Sequence, residues 1–168
     1  MLEIGVATCE ILLVGLLVTG ATFDIVQFRL PNWLTLATAL VAIAWVLLAE
    51  PMVSAGVWHL LAGLLVLAVG LLAYRFSMIG GGDAKWIAAL AIWVGFGFSL
   101  GRFLVLIAIF GGILGLVVLG LARIWPAYGM HEGKRHLPYG VAIALAGFDF
   151  WLRHGLLGKP LMALAFPS

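Results

Sequence analysis

The sequence predicts an all-α integral membrane protein of about six transmembrane helices in a single bundle, with its N-terminus outside the cytoplasm. Three observations lead there. Of the 168 residues, 65% are hydrophobic and only 10% are charged, whereas a soluble domain is about 45–50% apolar and about 25% charged. The apolar residues fall in long runs, separated by charged or proline-bearing breaks. Within those runs nothing alternates, as a membrane β-barrel would require. So little polar surface excludes a soluble enzyme, a disordered tail and a nucleic-acid-binding module. Seven acids against nine bases leave a net charge of +2, too small an imbalance to imply a polyanionic partner. The single cysteine, Cys9, excludes a disulfide framework and any multi-cysteine zinc site.

A helix needs roughly 20 apolar residues to cross a hydrocarbon core of about 30 Å. The first run is Ile4–Phe23, interrupted by Glu10. Glu3 and Glu10 stand where a signal peptide carries positive charge, so this helix is expected to remain in the mature protein. The second run, Asn32–Ala49, opens after Pro31, which stops one helix and starts the next. The third is Val53–Tyr74, the fourth Ala84–Leu100 and the fifth Phe103–Ala122. The sixth, Leu137–Leu152, is short and carries Asp149 near its end. A last apolar stretch, Leu156–Phe166, contains Lys159-Pro160 and reads as an interfacial tail. Residues 1–168 form one domain, because no linker, composition shift or repeat divides them. The longest polar stretch is Arg123–His136.

Lysine and arginine concentrate on the cytoplasmic side of membrane proteins. With the N-terminus outside, the inner side holds Arg29, Arg75, Lys85, Arg123, Lys134 and Arg135, and the outer side holds Arg102, Arg153 and Lys159. That split, six against three, sets the orientation.

In so apolar a chain the ionisable residues inside helices carry the information, since each costs several kcal/mol to bury in lipid, about 3 on insertion scales. Asp24 closes the first helix and Asp83 opens the fourth, both on the inner side. Three glycines, Gly80, Gly81 and Gly82, precede Asp83. Without side chains they let another backbone approach closely and permit bending. Asp83 falls in the first helical turn, where the helix dipole favours negative charge. Two carboxylates in a partly dehydrated site cannot both ionise comfortably and share a proton. The charged member activates a water while the protonated one polarises a peptide carbonyl. Taken singly, each aspartate reads more readily as a cap or a topology marker. Their convergence on one face is what points to catalysis.

These residues resemble a known family. Gly80–Asp83 fits the GxGD signature of intramembrane aspartic peptidases, and D-x4-R-x-P-N from Asp24 to Asn32 is similar to the first loop of type IV prepilin peptidases. The segment Leu137–Gly140, L-P-Y-G, looks like a P-[FY]-G element late in those enzymes. The resemblance implies a membrane aspartic endopeptidase that removes the basic leader of prepilin-like proteins at the cytoplasmic face of a bacterial inner membrane. It makes Asp24 and Asp83 the catalytic pair and the three glycines a turn for substrate approach, with no cofactor. The implied partners are a prepilin or pseudopilin substrate, membrane lipids and pilus or secretion machinery. Longer members carry a cysteine-paired cytoplasmic region and also methylate the new N-terminus. Only a short connection joins the first two helices here, so the resemblance is to the peptidase-only form of tight-adherence (Flp) pilus systems. Methyltransferase activity is not expected. An archaeal preflagellin peptidase shares the same motif.

The remaining polar residues read mostly as structural. Arg29 sets topology, or else meets Asp24 or an acidic substrate group. Lys85 points away from Asp83 and meets lipid headgroups or a substrate acid. Asn32 caps the second helix or bonds near the active loop. His131 and His136, with Glu132 between them, suggest a metal cluster but find no convincing third ligand and read as a solvated basic loop. Asp149 and Arg153, four apart, pair on one helix face. Cys9 is a packing residue, the tryptophans are anchors near span ends, and Gly111, Gly112 and Gly115 mark close helix contacts. The competing class is a non-enzymatic polytopic protein, a small transporter or a scaffold of a pilus or secretion complex. Transport would favour mid-membrane helix breaks and internal repeats, and neither is evident.

Overall fold

The computed structural model describes residues 1–49, 53–124, 130, 131, 134, 135, 137 and 139–156. Among the described residues six helices carry the fold: α1 (Leu2–Gln27), α2 (Asn32–Ala49), α3 (Val53–Arg75), α4 (Gly81–Val94), α5 (Phe98–Ile124) and α6 (Tyr139–His154). Between α5 and α6 a minimal antiparallel ladder pairs Met130 with Arg135 and His131 with Lys134. The expected interfacial tail beyond Leu156 lies outside the described residues, as do the side chains of His131, Glu132 and His136.

Among the described residues four helices, α1, α2, α3 and α5, are long and apolar enough to cross a membrane. Their outward faces present large aliphatic side chains, such as Ile4, Leu47, Leu64, Val69 and Leu116. A soluble protein does not expose that much contiguous apolar surface, so the chain is a multi-pass, all-α membrane protein. The two shorter helices behave differently. α4 has 14 residues, of which Ala84, Trp86, Ala88, Ala89, Leu90, Ala91, Trp93 and Val94 are buried. At about 1.5 Å per residue it reaches only about 21 Å. It forms the centre of the bundle, packed along α3 on one side and α2 on another, and touching α6. Small residues permit this, because between membrane helices close backbone approach replaces the hydrophobic drive. α6 lies against α1 and α5.

Two closures hold the centre together. The ring of Trp86 lies over Gly20 of α1, where an added Cβ would stand 2.3 Å from the indole. Its Nε1 donates to Thr38 Oγ1 (3.1 Å), which donates onward to the Leu34 carbonyl (2.8 Å). At the opposite end of α1, the buried Glu10 accepts hydrogen bonds from Trp151 Nε1 (3.2 Å) and the Leu156 N–H (2.8 Å). A carboxylate within an apolar run is thereby supplied with donors from α6, as a buried polar group requires.

The structure departs from the sequence reading in two places. The fourth helix stops at Val94 rather than running to Leu100, and α5 begins at Phe98 rather than Phe103. Gly95 (φ 75°) and Gly97 (φ 145°) adopt backbone conformations that other residues avoid, and they turn the chain between the helices. The tryptophans are only partly anchors. Trp33 and Trp58 are exposed, but Trp86, Trp93 and Trp151 are buried in the bundle. Cys9 is buried and packs, as expected.

Candidate active site

At the end of the bundle where α1 finishes and α4 and α6 begin, a cavity of about 1100 Å³ opens. Asp24 reaches it from the last turn of α1. That helix ends where Phe28 takes a left-handed conformation (φ 50°) and donates its N–H to the Asp24 carbonyl at 3.0 Å. Pro31 then begins the next element, its carbonyl accepting from Leu34 N–H at 3.1 Å. The tight α1–α2 turn keeps Arg29 and Asn32 on the cavity rim. Asp83 reaches the same cavity from the first turn of α4. The two side chains come from helices far apart in sequence, yet both line the same cavity.

Each carboxylate is held by backbone. The Gly140 N–H, in the first turn of α6, makes a short hydrogen bond to Asp24 Oδ2, and the Val141 N–H also faces it. A side chain at position 140 would force α6 or the carboxylate to shift, because a Cβ would stand 2.8 Å from Asp24 Cβ and 2.9 Å from Cγ and Oδ2. Asp83 faces the backbone N–H of Gly80, the residue just before α4. The Gly20–Trp86 closure lies one turn before Asp24 and one turn after Asp83. Packing in the bundle centre therefore fixes the separation of the two aspartates.

Most residues singled out from the sequence meet here: Asp24, Asp83, Gly80, Gly81, Gly82, Arg29 and Asn32 all line the cavity. The glycines do so for room rather than for unusual dihedrals. Gly80 is extended (φ −70°, ψ 144°), and Gly81 and Gly82 already belong to α4. A Cβ at Gly81 would sit 3.3 Å from the Tyr74 ring, and one at Gly82 3.3 Å from Leu30 Cβ. Lys85 does not join them. It turns to another face and donates from Nζ to Asn32 Oδ1 at 3.3 Å. Asp149 lies at the far end of the bundle, paired with Arg153 (3.0 Å) and with Arg102 of α5 (3.1 Å). The first pairing was expected and the second was not.

Sequence reasoning missed what Gly140 does. The L-P-Y-G segment marked the place, but only the fold shows its N–H aimed at Asp24. Tyr139 of that segment also lines the cavity, as does Tyr74, which carried no signal in the sequence. Among the described residues no three His, Cys, Asp or Glu side chains converge as a metal site. The arrangement is a pair of carboxylates lining one cavity, with the Gly140 N–H bonded to Asp24 and the Gly80 N–H facing Asp83. Such a pair can activate water for attack on a carbonyl.

A model of the type IV leader peptidase family matches residues 11–120, well over half of the chain. The match covers both aspartates, the α1–α2 turn and the three glycines, and it ends before α6. Curated proteins and solved structures gave no match.

Proposed function

The chain belongs to the type IV leader peptidase family, and we propose that it is an aspartic endopeptidase in which Asp24 and Asp83 together activate water to remove the leader of prepilin-like proteins. The observation that carries this reading is the meeting of the two carboxylates in one cavity, from the end of α1 and the start of α4.

In the reaction, an extended segment of substrate lies along the glycines with its scissile carbonyl between the aspartates. One carboxylate is ionised and takes a proton from the water as it attacks the carbonyl carbon. The other is protonated and donates to the carbonyl oxygen as negative charge builds there. Collapse of the tetrahedral intermediate breaks the C–N bond, and the leaving amine takes up the proton that the base received. The proton returns to the pair, which titrates as a unit. No covalent intermediate forms, and the chemistry calls for neither metal nor organic cofactor.

The site faces the cytoplasm of a bacterial inner membrane in this account. Arg29, Arg75, Lys85 and Arg123 lie at the helix ends on the cavity side, while Arg102 and Arg153 lie at the other, as the cytoplasmic bias of basic residues requires. The chain acts as one peptidase unit. Only Phe28 to Pro31 lies between α1 and α2, which leaves no place there for a methyltransferase insert.

The test is co-expression with a panel of tagged prepilins, followed by blots for the shift that loss of the leader produces. Wild type is expected to shift at least one member. A folded, inserted protein that shifts none across a broad panel would favour a non-enzymatic polytopic membrane protein instead.

A further inference from the structure

Next to the catalytic cavity, a second and wholly different space runs along the bundle. It is an apolar groove of about 640 Å³. α2 and α3 scarcely touch each other, although both pack along α4, so a cleft remains between them with α4 as its floor. Ala88 and Ala89 form that floor, Leu36 and Ile43 one wall, and Leu60 and Leu64 the other. The contributing residues on each helix recur at intervals of three and four, one continuous face apiece. The rims are open to the membrane, with Leu36 61% and Leu64 63% exposed. From Asn32 to Ile43 the groove extends about 16 Å along α2, roughly half the hydrocarbon core.

Its position is what gives it meaning. Asn32 lines both the catalytic cavity and this groove. Lys85, bonded to Asn32, stands at the same mouth. A chain leaving the aspartates in the direction of the membrane interior therefore passes Asn32 and enters the groove directly. The two spaces also change character at that point, from polar walls around the aspartates to aliphatic walls beyond.

We propose that the groove is the docking site for the apolar segment that follows the scissile bond in a membrane-inserted substrate. One face of that segment lies between α2 and α3 on the floor of α4. The assignment rests on the leader-peptidase reading and adds to it how the enzyme holds its substrate. The α2–α3–α4 groove measures register, because a helix seated there delivers its cytoplasmic end to Asp24 and Asp83 at a fixed depth.

The test places a photoreactive amino acid at position 36 or 64 of the full-length Asp83→Asn enzyme, in membranes holding a tagged prepilin that wild type processes. Position 116, an exposed residue of α5, is the control. Adducts to the prepilin are expected at 36 and 64 and not at 116. Ala39 lines the groove between Leu36 and Ile43 and not the cavity, so in a separate variant Ala39→Trp fills the groove and is expected to raise KM for that prepilin about tenfold with kcat kept. The proposal is overturned if positions 36 and 64 capture only phospholipid or a second copy of the enzyme. It is equally overturned if position 116 captures prepilin as often while wild type still removes the leader. If wild type removes no leader from any prepilin, the peptidase reading falls, and the groove assignment falls with it.

Discussion

Replacing Gly140 with alanine perturbs the proposed catalytic pair without changing either aspartate. The added Cβ would lie 2.8 Å from Asp24 Cβ and 2.9 Å from its Cγ and Oδ2. Carbon atoms rest about 3.5–4.0 Å apart, so about 0.7–1.2 Å must open between α6 and α1, or the carboxylate must swing aside. Either response lengthens the hydrogen bond from the Gly140 N–H and moves Asp24 relative to Asp83. A misplacement of about 1 Å in a catalytic group costs about 100-fold in rate, which is about 2.7 kcal/mol of barrier. The overpacking itself costs about 1–3 kcal/mol of stability, which is why activity and folding must be read separately. The assay is the time course of leader removal in membranes containing equal amounts of inserted enzyme, with thermal melting in detergent alongside. Gly140→Ala is expected to lower kcat about 100-fold with the protein inserted and helical. Gly112→Ala is the matched control, since a Cβ there meets nothing within 4 Å, and it is expected to cleave as wild type does. A Gly140→Ala enzyme that cleaves within about twofold of wild type would refute the claim that α6 positions Asp24.

The other predictions concern the frame around the pair. Gly20→Val drives a branched side chain into the Trp86 ring, and is expected to lower the melting temperature, by a stability loss of about 1–3 kcal/mol, and to slow cleavage as well, because that contact sits one turn from both aspartates. Asp149→Asn breaks the pairs with Arg102 and Arg153. Those charges are partly exposed, at 24–38%, so the loss is expected to stay below about 1 kcal/mol, and leader removal at the far end is expected to proceed at the wild-type rate. Cleavage is also expected to continue undiminished in excess EDTA, since the proposed chemistry uses carboxylates and water alone; a rate restored by a divalent cation would refute that.

Much of the fold is legible in the sequence because hydropathy reports on it directly. The spans that became α1, α2 and α3 sit within a few residues of their positions, since each is bounded by polar or proline-bearing turns. The α4–α5 boundary is not legible in the same way. The stretch from Trp93 to Phe98 is apolar except for its glycines, so only the backbone conformations of Gly95 and Gly97 reveal the turn. Burial inside the bundle is equally hidden, because lipid and protein interior select similar side chains. Trp86 at the centre and Trp58 at the lipid face look alike in sequence. Glu10 reads as an interruption until Trp151 and Leu156 are seen donating to it.

The candidate site divides along the same line. Acids are rare enough here that Asp24 and Asp83 stand out, and the charge bias puts them on one face. The cavity they share agrees with that placement. The backbone donors on those carboxylates leave no trace in residue type, apart from the glycines that make room for them. The separation of Lys85 from the cavity follows from its position two residues after Asp83 on a helix, which turns it toward α2 and Asn32.

The central claim is that the two aspartates work as one unit, and the most direct measurement compares three enzymes with wild type: Asp24→Asn, Asp83→Asn and the double variant. Each is reconstituted with a prepilin that wild type processes and followed by single-turnover cleavage. Groups that act together show grossly non-additive losses. All three variants are expected to fall to the same residual rate, at least about 1000-fold below wild type, while remaining inserted and folded. A single variant that still cleaves, or losses that multiply in the double variant, would contradict the account.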